Sequence, residues 1–183
     1  MLYHFTLQMM ALVTGLILFA LGVVGFIAKS SAFASLNSFP RSRWAGIVLL
    51  TVALIWSFWL LSTMEMGEFS AFRRPLLIAL PLAYACALRF MDEFLAVRAL
   101  GILALLAAEP LLDAAFLRYE TSRLVLTVLA YILIVLGLLW VMMPYMLRDQ
   151  ISWFSHSLGR WRALTAAGIL YGITLIALAL LRY

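Results

Sequence analysis

The run Leu7–Ala28, LQMMALVTGLILFALGVVGFIA, indicates the fold class. It carries no charged side chain, and it is as long as the roughly 20 mostly apolar residues that a helix needs to cross a bilayer. It is also longer than the roughly 7–15-residue apolar core of a secretory signal peptide. Because no lysine or arginine precedes it between Met1 and Gln8, we expect a first membrane span that is retained in the mature protein.

The whole chain shares this apolar character. Of its 183 residues 67% are hydrophobic and 11% are charged, and the mean hydropathy is +1.10, whereas ordinary globular domains are roughly 45–50% apolar. The net charge of +5 does not indicate nucleic-acid binding, because the arginines stand singly or in pairs at the ends of apolar runs. The composition predicts an integral membrane protein whose main partner is the lipid bilayer.

Six apolar runs come near the length of a span. Each should be helical, since an open strand edge in lipid would leave backbone groups without hydrogen bonds. The predicted fold is an all-α polytopic bundle forming one transmembrane domain over residues 1–183. The third run is the shortest and contains Pro81, so it is the weakest of the six. The predicted spans are Leu7–Ala28, Trp44–Met64, Pro75–Met91, Leu95–Leu117, Arg123–Leu147 and Trp161–Arg182.

The basic residues predict the orientation of these spans. One face, called here the arginine-rich face, carries eight of them: Lys29, Arg41, Arg43, Arg89, Arg98, Arg148, Arg160 and Arg162. The opposite face carries five: Arg73, Arg74, Arg118, Arg123 and Arg182. Basic residues favour the cytoplasmic side, which places both termini outside. Twelve arginines against one lysine suggest a GC-rich bacterial genome, and so a bacterial cytoplasmic membrane.

Two connections on the arginine-rich face are amphipathic. In KSSAFASLNSFPRSRW and in RDQISWFSHSLGRW, apolar residues recur at about helical spacing while serines and arginines fill the other faces. This pattern is typical of short helices that lie flat in the headgroup layer. In the last span, the spacing of Gly168 and Gly172 allows close approach of two helix backbones. Packing between spans of this chain is the favoured explanation, and a contact with a partner subunit or a second copy is the alternative.

Glu109 is the most unusual ionisable residue. At 1.5 Å per residue it lies about 12 Å beneath the outer end of the fourth run, where the hydrocarbon has begun. Asp113 lies about 6 Å from that end, where an ion pair with Arg118 or Arg123 is the expected arrangement. Because no arginine shares its depth, Glu109 is expected to favour the protonated form, which can donate a hydrogen bond or exchange a proton.

Hydroxyl groups in other runs lie at a similar depth and suggest a polar layer under the outer face. Pro81 and Pro110 each free a helix carbonyl near this level, which could open a small wet cavity. The alternative is that these groups are ordinary interhelical hydrogen bonds with Glu109 as the strongest member. The layer comprises Ser57, Tyr84, Tyr131 and Thr174, together with Thr14, Glu109 and Asp113.

No catalytic, cofactor or metal signature is present. His4 and His156 are predicted on opposite faces of the membrane, Cys86 is the one cysteine, and no sequence motif for hydrolysis, phosphate binding or zinc binding occurs. The acidic and basic turn RFMDEFLAVR could anchor a soluble partner but is more typical of a solvated salt-bridge cluster. No cofactor or metal is expected.

Three functions remain open. The first is a non-catalytic subunit or accessory component of a membrane complex, with a partner subunit or a second copy of the chain. The second is a small proton- or cation-linked channel or transporter in which Glu109 exchanges its proton while Asp113, Glu65 and Glu68 gather cations outside. The third is an intramembrane enzyme that acts on a lipid-like substrate, which requires a wet pocket with at least two convergent polar groups.

Overall fold

The fold is a bundle of α-helices, seen in a computed structural model that describes residues 6–27, 38–91, 94–116 and 120–182. These residues contain no strand. Two 3-10 turns, Phe39–Arg41 and Gly67–Phe72, precede the second and third helices. The helices are α1 (Leu7–Ile27), α2 (Arg43–Thr63), α3 (Arg73–Phe90), α4 (Leu95–Ala115), α5 (Arg123–Met142), α6 (Tyr145–Ser155) and α7 (Leu158–Leu181).

Six of these helices, every one except α6, are long and apolar enough to cross a membrane. The all-α class and the number of candidate spans are therefore confirmed. The third run, the weakest in the sequence, is a helix with Pro81 inside it. The fifth helix ends at Met142 rather than at the predicted Leu147, because Pro144 disfavours a helical conformation at the residue before it, and Met143 has φ −127° and ψ 71°.

One of the two amphipathic segments is a helix in the structure. Helix α6 spans Tyr145–Ser155 and is joined to α5 by a hydrogen bond from Trp140 Nε1 to Gln150 Oε1 at 3.1 Å. The other predicted segment falls largely on residues 28–37, which lie outside the described part of the chain.

Glycines bring three pairs of helices into backbone contact, one of them α2 and α4, where a Cβ on Gly46 would lie 2.8 Å from the amide nitrogen of Ala96. Helices α1 and α7 pack antiparallel, and a Cβ atom placed on Gly172 would lie 2.7 Å from the amide nitrogen of Phe19 and 2.8 Å from the carbonyl oxygen of Gly15. Helices α4 and α5 cross at Gly101 and Gly137, where a Cβ on Gly101 would lie 2.8 Å from the Gly137 oxygen. Such close approach gives van der Waals contact that larger residues would prevent.

Helix α4 is at the centre of the bundle, since half of its most apolar stretch is buried. On the side of its C-terminal half, α4 meets α1, α5 and α7 in a core that includes Ala108, Leu111, Leu126 and Leu175. On the side of its N-terminal half, α4 packs on α2 and α3 around Leu50, Leu95 and Ala99. Helix α3 is at the edge of the bundle and has no buried residue.

Candidate functional site

One face of α4 lines two cavities that lie in opposite halves of the bundle. The residues of this face recur at intervals of three and four, which keeps them on one side of a helix. The first three face one cavity and the last four face the other. They are Leu95, Arg98, Ile102, Leu105, Glu109, Leu112 and Phe116.

The first, the Glu109 cavity, lies between α4 and α5 on the side of the bundle opposite the arginine-rich face. It has a volume of about 440 Å³ and opens broadly to the exterior. Among the described residues, its lining comes from α4, from Phe116 and from Ile134 of α5. Glu109 and Asp113 lie one helical turn apart and both line it. Pro110 is buried instead, so the proline stands on a different face from the two carboxyl groups.

The second, the Arg98 cavity, lies between α2, α3 and α4 near the arginine-rich face and has a volume of about 290 Å³. Its walls are mostly aliphatic, with Val141 of α5 closing one side. Arg98 Nη1 donates to the sulfur of Met91 at 3.1 Å. Its Nε is buried and has no hydrogen-bond partner in the structure.

The six predicted polar-site residues fall into two pairs and two isolated positions. Glu109 and Asp113 share the Glu109 cavity, whereas Ser57 and Tyr84 line the Arg98 cavity. Tyr131 is 58% exposed on α5. Thr174 donates to the carbonyl of Tyr171 in its own helix at 2.7 Å. Equal depth therefore does not bring these side chains together, because they point in different directions around their helices.

Hydrogen bonds between helices involve one residue of the predicted set, Tyr84, and several outside it. The Tyr84 hydroxyl lies 2.9 Å from Thr51 Oγ1, which links α3 to α2. Tyr171 donates to the carbonyl of Val125 at 2.6 Å, and Trp161 Nε1 donates to the carbonyl of Gly25 at 2.8 Å. Aromatic residues with a polar tip are a usual means of joining helices in this way, but the sequence does not show which carbonyl each one meets.

The two glycines of the last span differ in their surroundings. Gly172 is buried against α1. A Cβ on Gly168 would meet one atom, the Leu18 carbonyl oxygen at 4.0 Å, and so would not clash. Within this chain, close packing of α7 therefore depends on Gly172 and on its partner Gly15 rather than on the Gly168–Gly172 pair.

Arginines near the ends of the spans bind backbone carbonyls. Arg123 Nη1 donates to the carbonyl of Ala115 at 3.3 Å, at the C-terminal end of α4, where carbonyls lack helical partners. Arg73 donates to the carbonyl of Met64. Of the two expected partners of Asp113, Arg123 donates to the carbonyl of Ala115, and Arg118 lies outside the described residues, as do Asp92 and Glu93 of the predicted RFMDEFLAVR cluster.

The position of Arg98 was missed from the sequence. Counting residues places it about 5 Å inside the end of α4, from where a long side chain can reach the membrane surface. In the structure it also lines a cavity. The sequence signal for this cavity is the spacing of Arg98 with Leu95 and Ile102. That spacing puts the cation on the face of α4 that also carries Leu105 and Leu112.

Comparisons with known proteins add no identification. No protein-family model, no curated protein and no solved structure matches the chain. Among the described residues, no group of three or more histidine, cysteine or acidic side chains could hold a metal ion.

Proposed function

We propose that this chain is a non-catalytic subunit or accessory component of a complex in a bacterial cytoplasmic membrane, with its arginine-rich face in the cytoplasm. The partner is a transmembrane helix that carries a cationic or hydrogen-bond-donating side chain. It docks along the Glu109 cavity between α4 and α5. The observation that carries the proposal is that this cavity, with two carboxyl groups, opens broadly on one side of the bundle.

Glu109 lies deep enough in its span for pairing with a partner to lower its free energy. A charged side chain near the centre of a membrane helix costs about 2.5–3.5 kcal/mol on insertion scales, and pairing with a donor offsets part of that cost. An ionised carboxylate has roughly four acceptor sites, so Glu109 can accept from a partner in addition to groups of its own chain. The leucines around it supply the apolar contact that a helix needs.

Photo-crosslinking in native membranes tests this docking site. Phe116 lines the cavity and is 59% exposed, so benzoyl-phenylalanine there changes little of the surface. Phe58 on α2 is 46% exposed and lines neither cavity, which makes it the matched control. We expect one protein adduct of defined mass from position 116, none of that mass from position 58, and a several-fold weaker adduct when Glu109→Gln is combined with the probe at 116.

The outcomes separate the kinds of partner. An adduct of twice the chain mass that depends on Glu109 identifies a second copy as the partner. Lipid adducts alone at position 116, or a protein adduct that Glu109→Gln leaves unchanged, would contradict the proposal.

A second candidate is a proton- or cation-linked conduit. It is favoured by the shared cavity, because two carboxyl groups one turn apart can pass a proton or hold a cation between them. Purified protein in liposomes with a pH-sensitive dye and an imposed proton or sodium gradient tests it. A conduit predicts a flux that Glu109→Gln abolishes and that Glu120→Gln, at an exposed position, leaves intact. Absence of flux in folded wild-type protein rejects it.

A further inference from the structure

The Arg98 cavity has the chemistry of an amphiphile site. Its lining runs along α3 from Met91 to Leu80, roughly 15 Å of helix. Among the described residues that line it, every side chain apart from Ser57, Tyr84 and Arg98 is apolar, and none is acidic. The Tyr84 hydroxyl is already bonded to Thr51. An occupant would therefore meet one cation at one end and hydrocarbon along the rest.

The guanidinium of Arg98 has unused donor capacity inside this cavity. An arginine offers five N–H donors, and a thioether is a weak acceptor. Among the described residues its one hydrogen bond goes to the sulfur of Met91, and its buried Nε has no partner there. A buried donor left without an acceptor costs roughly 1–3 kcal/mol, and more for a charged group. A phosphate oxygen would satisfy it, because a guanidinium matches phosphate in a two-pronged geometry.

We propose that the Arg98 cavity binds one membrane phospholipid with an anionic headgroup. The phosphate lies against Arg98 and one acyl chain follows the apolar wall past Leu54 and Ala83 towards Leu80. A free anion would gain nothing from that wall, and an uncharged apolar molecule would leave Arg98 unsatisfied. The volume of about 290 Å³ is near the lower end of ligand sites, roughly 300 Å³, which fits one chain rather than two.

The position of the cavity gives a lipid access from the bilayer. Arg98 lies about 5 Å from the start of α4, at the level where the phosphates of the cytoplasmic leaflet are expected. The wall formed by α3 belongs to a helix with no buried residue, so the lipid enters beside the edge of the bundle. This site is separate from the Glu109 cavity, and it stands whether or not a partner protein docks there.

Native mass spectrometry of the full-length protein tests the site with phosphatidylglycerol and phosphatidylcholine of identical acyl chains. We expect one phosphatidylglycerol to bind at least tenfold more tightly than phosphatidylcholine, because the choline of phosphatidylcholine brings a second cation next to Arg98 and offsets the charge of its phosphate. Arg98→Gln should weaken this binding about tenfold, the worth of one charge-assisted contact. Arg89→Gln is the matched control, because Arg89 is exposed near the same face and does not line the cavity, and it should leave the affinity unchanged.

A second pair of variants tests the apolar part of the site without touching the charge. Ala83 lines the cavity and is exposed, so Ala83→Phe should fill the space, leave the fold intact and reduce lipid binding several-fold. Ala79→Phe, on the same helix outside the cavity, should not. Equal losses in Arg98→Gln and Arg89→Gln, no effect of Ala83→Phe, or displacement of the lipid by millimolar inorganic phosphate alone would each overturn the proposal.

Discussion

The α1–α7 pair and the edge helix α3 show two ways in which helices of one apolar chain pack. In the first, Gly15 and Gly172 let the backbones touch, and Trp161 donates to the carbonyl of Gly25 at 2.8 Å. Helix α3 contains no glycine, has no buried residue, and is linked to α2 by the contact between Tyr84 and Thr51 at 2.9 Å. The glycine-containing pair supplies rigidity, and the edge leaves space for another molecule.

The largest loss of stability is expected on removing a buried side chain from α7, in the glycine-containing pair. Leu175 is 0% exposed and lies in the core shared by α1, α4, α5 and α7. Leu175→Ala should lower the free energy of unfolding by about 2 kcal/mol, the low end for soluble cores, because an unfolded span stays in lipid and the water-transfer part of the cost disappears. Leu180→Ala is the control on the same helix, because Leu180 is 68% exposed, and it should change the free energy of unfolding little. Steric trapping in bicelles measures both variants.

The two glycines of α7 give the next largest contrast. A Cβ at Gly172 would lie within 3.1 Å of three backbone atoms of α1, and backbone cannot move aside as a flexible side chain can. Gly172→Ala should therefore cost about 1–3 kcal/mol, as overpacking does.

Gly168→Ala adds the same methyl group in open space. It should be neutral or stabilising by up to roughly 1 kcal/mol, because alanine favours a helix more than glycine does. Thermal unfolding of both variants in one detergent checks the pair. Equal destabilisation would mean that Gly168 also contacts a backbone, which would favour a partner helix on that side of α7.

Hydrogen bonds between helices should show the same contrast at a smaller scale. Tyr171→Phe removes the bond to the Val125 carbonyl, 2.6 Å long, and should cost about 0.6 kcal/mol and at most about 1.7, as measured for such bonds in membranes. Tyr84→Phe removes the contact with Thr51 at the edge. Tyr84→Phe should lower the free energy of unfolding less than Tyr171→Phe, because Thr51 Oγ1 keeps its hydrogen bond to the carbonyl of Ile47 at 2.7 Å. A larger loss for Tyr84→Phe in unfolding titrations would show that α3 is held more firmly than its exposure suggests.

The sequence predicted helix class and span number well because both depend on local composition. Uninterrupted apolar runs dictate helices in lipid, and one turn of spacing was enough to place Glu109 and Asp113 side by side. The end of α5 was misjudged because hydropathy alone carries the run past Pro144, where backbone sterics end the helix instead.

The composition of the cavities could not be predicted in the same way. Counting residues from a span end gives the depth of a side chain but not its direction around the helix axis or the identity of its neighbour. Ser57 and Glu109 were assigned one layer, yet they line different cavities. Arg98 shows the same limit, since counting residues gives its depth but not its place on the face shared with Leu95 and Ile102.

The smallest expected effect belongs to the outward face of α3. Leu82 is 64% exposed, and substitutions at such positions usually change stability by less than about 0.5 kcal/mol. Leu82→Ala should therefore leave the free energy of unfolding of the purified protein unchanged, whereas Leu175→Ala does not. Repeating the measurement in native membranes makes this weak effect informative. A destabilisation that appears only there would mean that α3 is covered by a partner protein, and the edge of the bundle would then be a second docking surface in addition to the Glu109 cavity.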